Sequence, residues 1–188
     1  ALDNRLVKSA LSEQLGTLRN APTEKLERLY RAWSHGGFGL VITGNVMVDR
    51  RALGEPRNVV VEDERDLPAL KRWAAASQES GNRTWVQINH PGRQSPRLLS
   101  PRPVAPSEVA LKISGQFGKP RALTGAQIEE IIERFAHTAE IVVGAGFDGV
   151  QIHSAHGYLS SQFLSPITNT RDDEWGGDPE RRMRFLLE

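Results

Sequence analysis

The stretch that decides the fold is GFDGVQIHSAHGYL, residues 146–159. Residues 149–152 form a short, mostly apolar run, and polar side chains follow it at His153, His156 and Tyr158. A strand buried on both faces of a parallel sheet has such a near-continuous apolar run. In α/β folds, ligand and catalytic sites lie at the carboxyl ends of parallel strands. The stretch therefore predicts a parallel α/β fold with a functional site directly after this strand.

Three more apolar runs alternate with helical patterns along the chain. The predicted strands cover residues 6–11, 39–43 and 84–88, in addition to 149–152. Helical patterns follow them from Thr23 to Gly36, from Asp66 to Gly81, from Thr124 to Gly144, and from Asp178 onward. Strands that alternate with helices predict a parallel sheet with helical crossovers. The expected order is (βα)₄.

Two of the predicted helices carry start signals. Thr124 and Gln127 have the spacing of a capping box, in which each side chain satisfies a backbone N–H at the helix start. Asp178 before Pro179 has the pattern of an N-cap followed by the first helical residue.

A proline-rich segment, residues 92–123, interrupts the alternation after the third strand. Its prolines are Pro96, Pro101, Pro103, Pro106 and Pro120. Loops of this length are usually active-site lids or insertions. We therefore expect one domain over residues 1–188, with a structureless insertion or lid at about 92–123.

Composition narrows the classes of function. The 188 residues carry 24 Lys+Arg against 23 Asp+Glu, a net charge of +1, and no cysteine. Balanced charge argues against a nucleic-acid partner, and no apolar run comes near the ~18 residues of a membrane span. The stretch can form no disulfide and no cysteine-ligated metal site. We expect a cytoplasmic protein that acts on a small molecule.

Polar residues also follow the other predicted strands. Ser12 comes after the first strand, Asn45 after the second, and Gln87 with His90 closes the third. The carboxyl ends of parallel strands meet at one edge of a sheet, so these residues are candidates for one site.

The spacing of His153 and His156 admits three interpretations. If the turn brings both imidazoles into one site, their N–H groups would polarise a carbonyl oxygen as an oxyanion hole does, with Tyr158 as general acid. A metal site would need a third ligand. In the third interpretation the histidines only cap or pack. The residues alone leave all three open.

Several segments together resemble the old yellow enzyme family of FMN-dependent ene-reductases, which are TIM barrels. The segments that carry the resemblance are NRLVKSALS at 4–12, GLVITGN at 39–45, VQINHPGRQ at 86–94, GFDGVQIHSAHGYL at 146–159, QFLSP at 162–166 and NTR at 169–171. The longest segment continues to the glycines at 176–177 and is highly specific, and alignable segments run in order along nearly the whole chain.

The resemblance implies residues that bind FMN. Ala10, Leu11 and Ser12 would lie along the flavin, with the Ser12 hydroxyl near its C4 carbonyl. The backbone at Asn45 would approach the isoalloxazine ring, and Gln87 would hydrogen-bond its pyrimidine edge. Relatives usually have Thr or Cys at the position of Ser12, so this chain keeps a hydroxyl without a thiol.

The resemblance also implies a reaction. NADH or NADPH would reduce FMN, and hydride would then pass to the β-carbon of an α,β-unsaturated carbonyl substrate. His153 and His156 would hold the carbonyl oxygen, and Tyr158 would protonate the α-carbon. Many relatives have His-x-x-Asn where this chain has His-x-x-His. Two donors to one oxygen stabilise the charge that grows there in the transition state.

The chain supplies half of such a barrel. A TIM barrel has eight βα units in ~250 residues, whereas four are predicted here. We expect an N-terminal half barrel that is inactive by itself and forms a homo-oligomer through its open sheet edges. Two alternatives remain: a non-catalytic half-barrel association module, and a metal-dependent barrel hydrolase that uses His153 and His156.

Overall fold

The computed structural model describes residues 1–113 and 115–188, so that Ser114, within the predicted insertion, lies outside the described residues. The chain forms two compact units. The first consists of Ala1–Arg50, Arg57–Ile88 and Ala136–Ile152, and the second of Arg51–Pro56, Asn89–Phe135 and His153–Glu188.

The strands are β1 (Val7–Lys8), β2 (Leu40–Ile42), β3 (Val46–Met47), β4 (Val59–Val60), β5 (Arg83–Asn89), β6 (Val104–Ala105), β7 (Arg121–Ala122) and β8 (Gly149–Ile152). The helices are α1 (Glu24–Ser34), α2 (Leu67–Ser77), α3 (Gly125–Gly144), α4 (Leu159–Leu164) and α5 (Pro179–Leu187). The four predicted strands correspond to β1, β2, β5 and β8, which helices separate along the chain, and short additional strands follow β2 and β5.

A parallel sheet forms the centre of the first unit. Its strands lie in the order β1-β2-β5-β3-β4, and β8 also pairs with β5. The β5–β8 register places Gln87 opposite Gln151 and Ile88 opposite Ile152. The residues of β2 are buried on both faces, as the continuous apolar run of that segment predicts.

Helices α1 and α2 cover this sheet with aromatic side chains. Tyr30 of α1 and Trp73 of α2 are both fully buried, and their rings meet edge to face at 5.2 Å between centroids. Trp73 meets Phe147 in the same way at 5.4 Å. Apolar residues recur along α1 at i, i+4 and i+7. This periodicity predicts an apolar face on the helix, and that face makes the contact with α2.

The alternation of strands and helices is confirmed, but the first predicted strand is wrong in length. Instead of 6–11, only Val7–Lys8 is a strand, so Ala10, Leu11 and Ser12 lie in irregular chain after it. In the β1–β2 register the next backbone N–H would bond the Ile42 carbonyl. That carbonyl instead accepts from Lys8 Nζ at 3.1 Å, and the ladder ends there.

Both predicted helix starts are confirmed. The Thr124 N–H donates to Gln127 Oε1 at 3.2 Å, and the Gln127 N–H donates to Thr124 Oγ1 at 3.3 Å, the reciprocal pair of a capping box. Asp178 accepts from the Arg181 N–H at 2.9 Å. The second helix is shorter than predicted: it ends at Ser77, and Gly81, with φ of +87°, closes the turn after it.

The second unit contains the proline-rich segment, which is not structureless as expected. Strands β6 and β7 pair in parallel, and Pro96 bridges Phe117. Two-residue strands among prolines carry no periodicity, so the sequence gives no signal for them. Aromatic packing forms the core of this unit, where Phe163 and Phe185 stack at 4.4 Å and Phe135 meets Phe185 edge to face at 6.2 Å.

Over the described part of the chain, none of the helices combines the length and apolar character needed to cross a bilayer.

Candidate functional site

In the first unit, the predicted FMN residues converge on the loop after β2. A Cβ at Gly44 would clash with the carbonyl oxygen of Leu11 and with the carboxylate of Glu13, so only glycine permits this close approach. The Gln87 N–H donates to Thr43 Oγ1 at 3.0 Å, and Thr43 Oγ1 donates to the Gly44 carbonyl at 2.9 Å. The loop after β2 thus contacts Gln87 through Thr43 and contacts the segment that contains Leu11 through Gly44.

Gln87 is buried and paired with a second amide. Its Nε2 donates to Gln151 Oε1 at 2.8 Å, across the β5–β8 register. The pairing uses one N–H of Gln87 and leaves its other N–H and its Oε1 for a ligand. Gln151 thereby sets the orientation of the Gln87 amide.

Residues 10–12 present a partly exposed surface at the same place. Leu11 is 60% exposed, Ser12 is exposed and Ala10 is half-buried. An exposed leucine next to a buried amide offers an apolar surface with a hydrogen-bonding edge, the usual make-up of a small-molecule site.

In the second unit, the turn after β8 gathers His153, His156 and Tyr158. The His153 ring lies 5.1 Å from that of His156 and 4.8 Å from that of Tyr158, both edge to face. The structure therefore brings together the three residues that the sequence singles out as catalytic.

His153 is a neutral donor. Burial, and to a smaller extent the neighbouring His156, together lower the pKa of His153 to about 4. The Ala155 N–H donates to His153 Nδ1 at 3.3 Å, which makes Nδ1 the acceptor. The proton of the neutral ring is then on Nε2, available to an oxygen of a ligand.

His156 has a left-handed backbone, with φ of +58°, and Gly157 follows with φ of +75°. Non-glycine residues rarely adopt this conformation without support. Support comes from Gln94, whose Nε2 donates to the His156 carbonyl at 2.6 Å.

A second amide holds the same turn. The buried Gln162 donates from Nε2 to the Gly157 carbonyl at 2.7 Å and to the Pro91 carbonyl at 3.1 Å, and its Oε1 accepts from the Arg93 N–H at 3.3 Å. Gln94 and Gln162 each donate to a different carbonyl of this turn, and we call them the amide pair of the His156 turn.

Sequence reasoning missed five of these residues: Glu13, Gln94, Gln151, Gln162 and Tyr30. Gln151 had a usable signal, since it stands two residues before His153 and therefore on the same face of the strand. The partners of the others are distant in sequence, as with Gln94 and His156, 62 residues apart.

The metal-site interpretation finds no support. Across residues 1–113 and 115–188, no three side chains of His, Asp or Glu are grouped so that they can hold a metal ion. Among these described residues, no side chain joins His153 and His156 as the third ligand that a zinc hydrolase would need.

Comparison with known proteins identifies the family. The model of the NADH:flavin oxidoreductase / NADH oxidase family matches residues 1–188. The NADH-dependent flavin oxidoreductase iliE of Hypocrea jecorina is 41% identical over 207 residues, which cover 100% of this chain and 51% of the relative. The NADH oxidase of Thermoanaerobacter brockii is 39% identical over 191 residues, covering 98% and 29%. The chain spans about half the length of these relatives or less.

Solved structures agree. An old yellow enzyme homologue from Zymomonas mobilis superposes with a TM-score of 0.89 at 30% identity, over 98% of this chain and 54% of that chain. Morphinone reductase superposes with a TM-score of 0.87 at 30% identity, over 99% and 53%. The chain thus belongs to the NADH:flavin oxidoreductase / NADH oxidase family, the old yellow enzymes that use FMN and NAD(P)H, and carries about four βα units of its TIM barrel.

Proposed function

We propose that the protein, at its natural length, reduces the carbon–carbon double bond of an α,β-unsaturated carbonyl compound with NADH or NADPH. The observation that carries the proposal is the packing of the His153, His156 and Tyr158 rings in one turn. FMN, once bound and reduced by the nicotinamide, supplies the hydride. The residues of this chain would bind the flavin, orient the substrate carbonyl and protonate the α-carbon of the substrate.

The residues of the first unit fit a flavin. The backbone approach at Gly44 and the exposed side chain of Leu11 offer a flat, apolar surface. Beside it, the Gln87 amide keeps one donor and one acceptor free of Gln151, which matches the alternating donors and acceptors of a flavin pyrimidine edge. Ala10, Leu11, Ser12, Asn45 and Gln87 are therefore the proposed FMN ligands.

The two histidines would act on the substrate carbonyl. Neutral His153 donates from Nε2, and His156, held beside it, supplies the second donor. Donors that are already aimed before reaction stabilise an oxyanion more in the transition state than in the ground state, which lowers the barrier.

Tyr158 would protonate the α-carbon. Its ring packs against His153 at 90°, and its N–H donates to the Ala155 carbonyl at 3.2 Å, so ring and backbone are both fixed. A phenol positioned in this way acts as a general acid.

The test is made on the natural-length protein. After FMN has been added and the unbound FMN removed by desalting, we expect a yellow protein that oxidises NADH or NADPH in the presence of 2-cyclohexenone and forms cyclohexanone. His153→Asn should slow formation of the product by about tenfold or more, while flavin reduction by the nicotinamide keeps its rate.

His137→Asn is the matched control, because His137 lies exposed on α3, where its Nδ1 is 3.7 Å from the Glu140 carboxylate. A colourless protein would exclude the flavin assignment. A yellow protein that leaves the double bond intact, yet turns over NADH with oxygen, would restrict the function to an NADH oxidase.

Self-association and a cytoplasmic location are further proposals. Val7 and Trp85 stand on one face of the sheet and are 46% and 39% exposed, an apolar surface that favours association. Light scattering on the purified protein should give a mass above that of the monomer, and fractionation should place the activity in the cytoplasm.

A further inference from the structure

A buried polar cluster lies next to the proposed FMN ligands in the first unit. It consists of Glu13, Tyr30, Lys8 and the N–H of Gly44, and we call it the Glu13 cluster. Glu13 follows Ser12 directly, and Gly44 precedes Asn45 directly. The cluster therefore touches both backbone segments that the proposed function assigns to FMN.

The hydrogen bonds of the cluster converge on one carboxylate oxygen. Tyr30 donates its hydroxyl proton to Glu13 Oε1. The Gly44 N–H donates to Glu13 Oε1 at 3.1 Å and to the Tyr30 hydroxyl oxygen at 3.0 Å. Glu13 Oε1 thus joins Glu13 to Tyr30, 17 residues later, and to Gly44, 31 residues later.

The surroundings hold Tyr30 rigidly. Its side chain is fully buried, and its ring meets Trp33 at 4.8 Å and Trp73 at 5.2 Å, both edge to face. Because these rings pack against it on two sides, the Tyr30 hydroxyl is held in position to anchor the Glu13 carboxylate.

Lys8 supplies the opposite charge. Its Nζ lies 3.8 Å from the centroid of the Trp33 ring and donates to the Ile42 carbonyl at 3.1 Å. Burial lowers the pKa of Lys8 to about 8, and the charge of Glu13 opposes that shift. Burial raises the pKa of Glu13, while its bonds to Tyr30 and Gly44 and the charge of Lys8 act the other way.

The cluster fixes the geometry of the groups that it joins, which apolar packing would not do. A half-buried carboxylate costs desolvation energy, and an apolar side chain of similar size would often stabilise a fold as well. A fully bonded polar group does, however, impose one geometry on the groups that it joins. Here those groups are the backbone after Ser12 and the backbone before Asn45.

We propose that Glu13 is a positioning residue for the flavin, which fixes the segment 10–12 against Gly44 and Asn45 through its bonds to Tyr30 and the Gly44 N–H. The proposal rests on the proposed function, because it takes these two segments as FMN ligands. Glu13 itself does not touch the flavin.

The experiment compares FMN dissociation constants in the natural-length protein, measured by fluorescence titration of the FMN-free form. Glu13→Ala removes the acceptor of the Gly44 N–H, and we expect FMN to bind about tenfold more weakly. Glu13→Gln keeps an oxygen for the Gly44 N–H and should restore the affinity to within about threefold of the original. The visible circular dichroism of bound FMN should change in Glu13→Ala and be restored in Glu13→Gln.

Glu24→Ala is the matched control, since Glu24 is exposed on α1 and its nearest cation, Arg28, is 3.9 Å away. Equal FMN affinity and an equal spectrum in Glu13→Ala would overturn the proposal and leave the proposed function intact. An original protein that binds no FMN would overturn both. If Glu13→Ala does not fold, Tyr30→Phe decides, because it keeps the ring and removes the hydroxyl: unchanged FMN affinity there would also overturn the proposal.

Discussion

The two candidate ligand-binding regions are held in place by different means. The first unit relies on close backbone approach at Gly44 and on a carboxylate, a phenol and an ammonium group buried together. The second unit relies on two neutral side-chain amides, Gln94 and Gln162, that bond the carbonyls of the His156 turn. Buried charges give a fixed geometry that depends on pH, whereas neutral amides give one that does not.

This difference matches what the two regions are proposed to hold. A tightly held cofactor needs a surface that stays the same through every turnover. A turn that receives successive substrates also needs hydrogen-bond donors in fixed positions. The side chains that support such a turn should keep the same charge whatever charge the substrate carries. Each of the following variants addresses one side of the comparison.

The largest expected effect is that of Tyr158→Phe. Loss of the proposed general acid should lower the rate of double-bond reduction by about a thousandfold, within the range of 10²–10⁴ for such groups. Flavin reduction by NADH should keep its rate. Rapid-mixing absorbance separates the two steps, and slowing of both would contradict the division of labour between the regions.

Gln162→Ala should have the next largest effect, on stability. The buried Gln162 bonds the Pro91 and Gly157 carbonyls and the Arg93 N–H, and the variant removes all three bonds, although the Pro91 carbonyl keeps its bond from the Gln94 N–H. At about 1 kcal/mol for each bond, unfolding should become easier by about 3 kcal/mol.

Urea unfolding measures this loss, with the exposed Gln116→Ala as control, expected within about 0.5 kcal/mol of the original. A loss below about 1 kcal/mol for Gln162→Ala would show that the His156 turn does not depend on the amide pair.

Gly44→Ala tests the first region with a single methyl group. The added Cβ would overlap the Leu11 carbonyl and the Glu13 carboxylate, so strain of about 2 kcal/mol and weaker FMN binding are expected. Gly144→Ala is the control, because no atom lies within 4 Å of a Cβ at that helical position. Equal melting temperatures for the two variants would disprove the close approach at Gly44.

The pH dependence of His153 should be the most gradual effect, because it is spread over the whole interval between its two pKa values. Its pKa is about 4 in the folded state against 6.5 ordinarily, so the unfolded chain binds more protons between these values. Stability should therefore fall as the pH drops from 6.5 toward 4, by at most about 1.4 kcal/mol per unit, and this contribution should level off below 4. His153→Asn should flatten that slope in a series of urea titrations, and an unchanged slope would assign it to other groups.

The parts of the molecule that follow local rules are predictable from sequence. The bounds of β8 agree with the apolar run at 149–152, and the Thr124–Gln127 capping box agrees with its three-residue spacing. The gathering of His153, His156 and Tyr158 also follows from their proximity in the chain.

The parts that depend on distant partners are not predictable in this way. The bond from Lys8, the last residue of β1, to the Ile42 carbonyl joins residues 34 positions apart, and nothing near Lys8 indicates it. The bonds of Glu13 to Tyr30 and Gly44, and the bond from Gln94 to His156, likewise join residues that are far apart in the sequence. Two-residue strands such as β6 and β7 are too short to carry a period.

The left-handed backbone at residue 156 has a consequence for how this position can evolve. Apart from glycine, asparagine is among the residues that tolerate positive φ best, and histidine is also enriched there. Glycine has no side chain to donate a hydrogen bond, whereas both asparagine and histidine do. Few residue types therefore both tolerate this backbone conformation and carry a side chain that donates a hydrogen bond. A change of His156 to asparagine would therefore exchange two side chains that this backbone conformation permits and that can both donate a hydrogen bond.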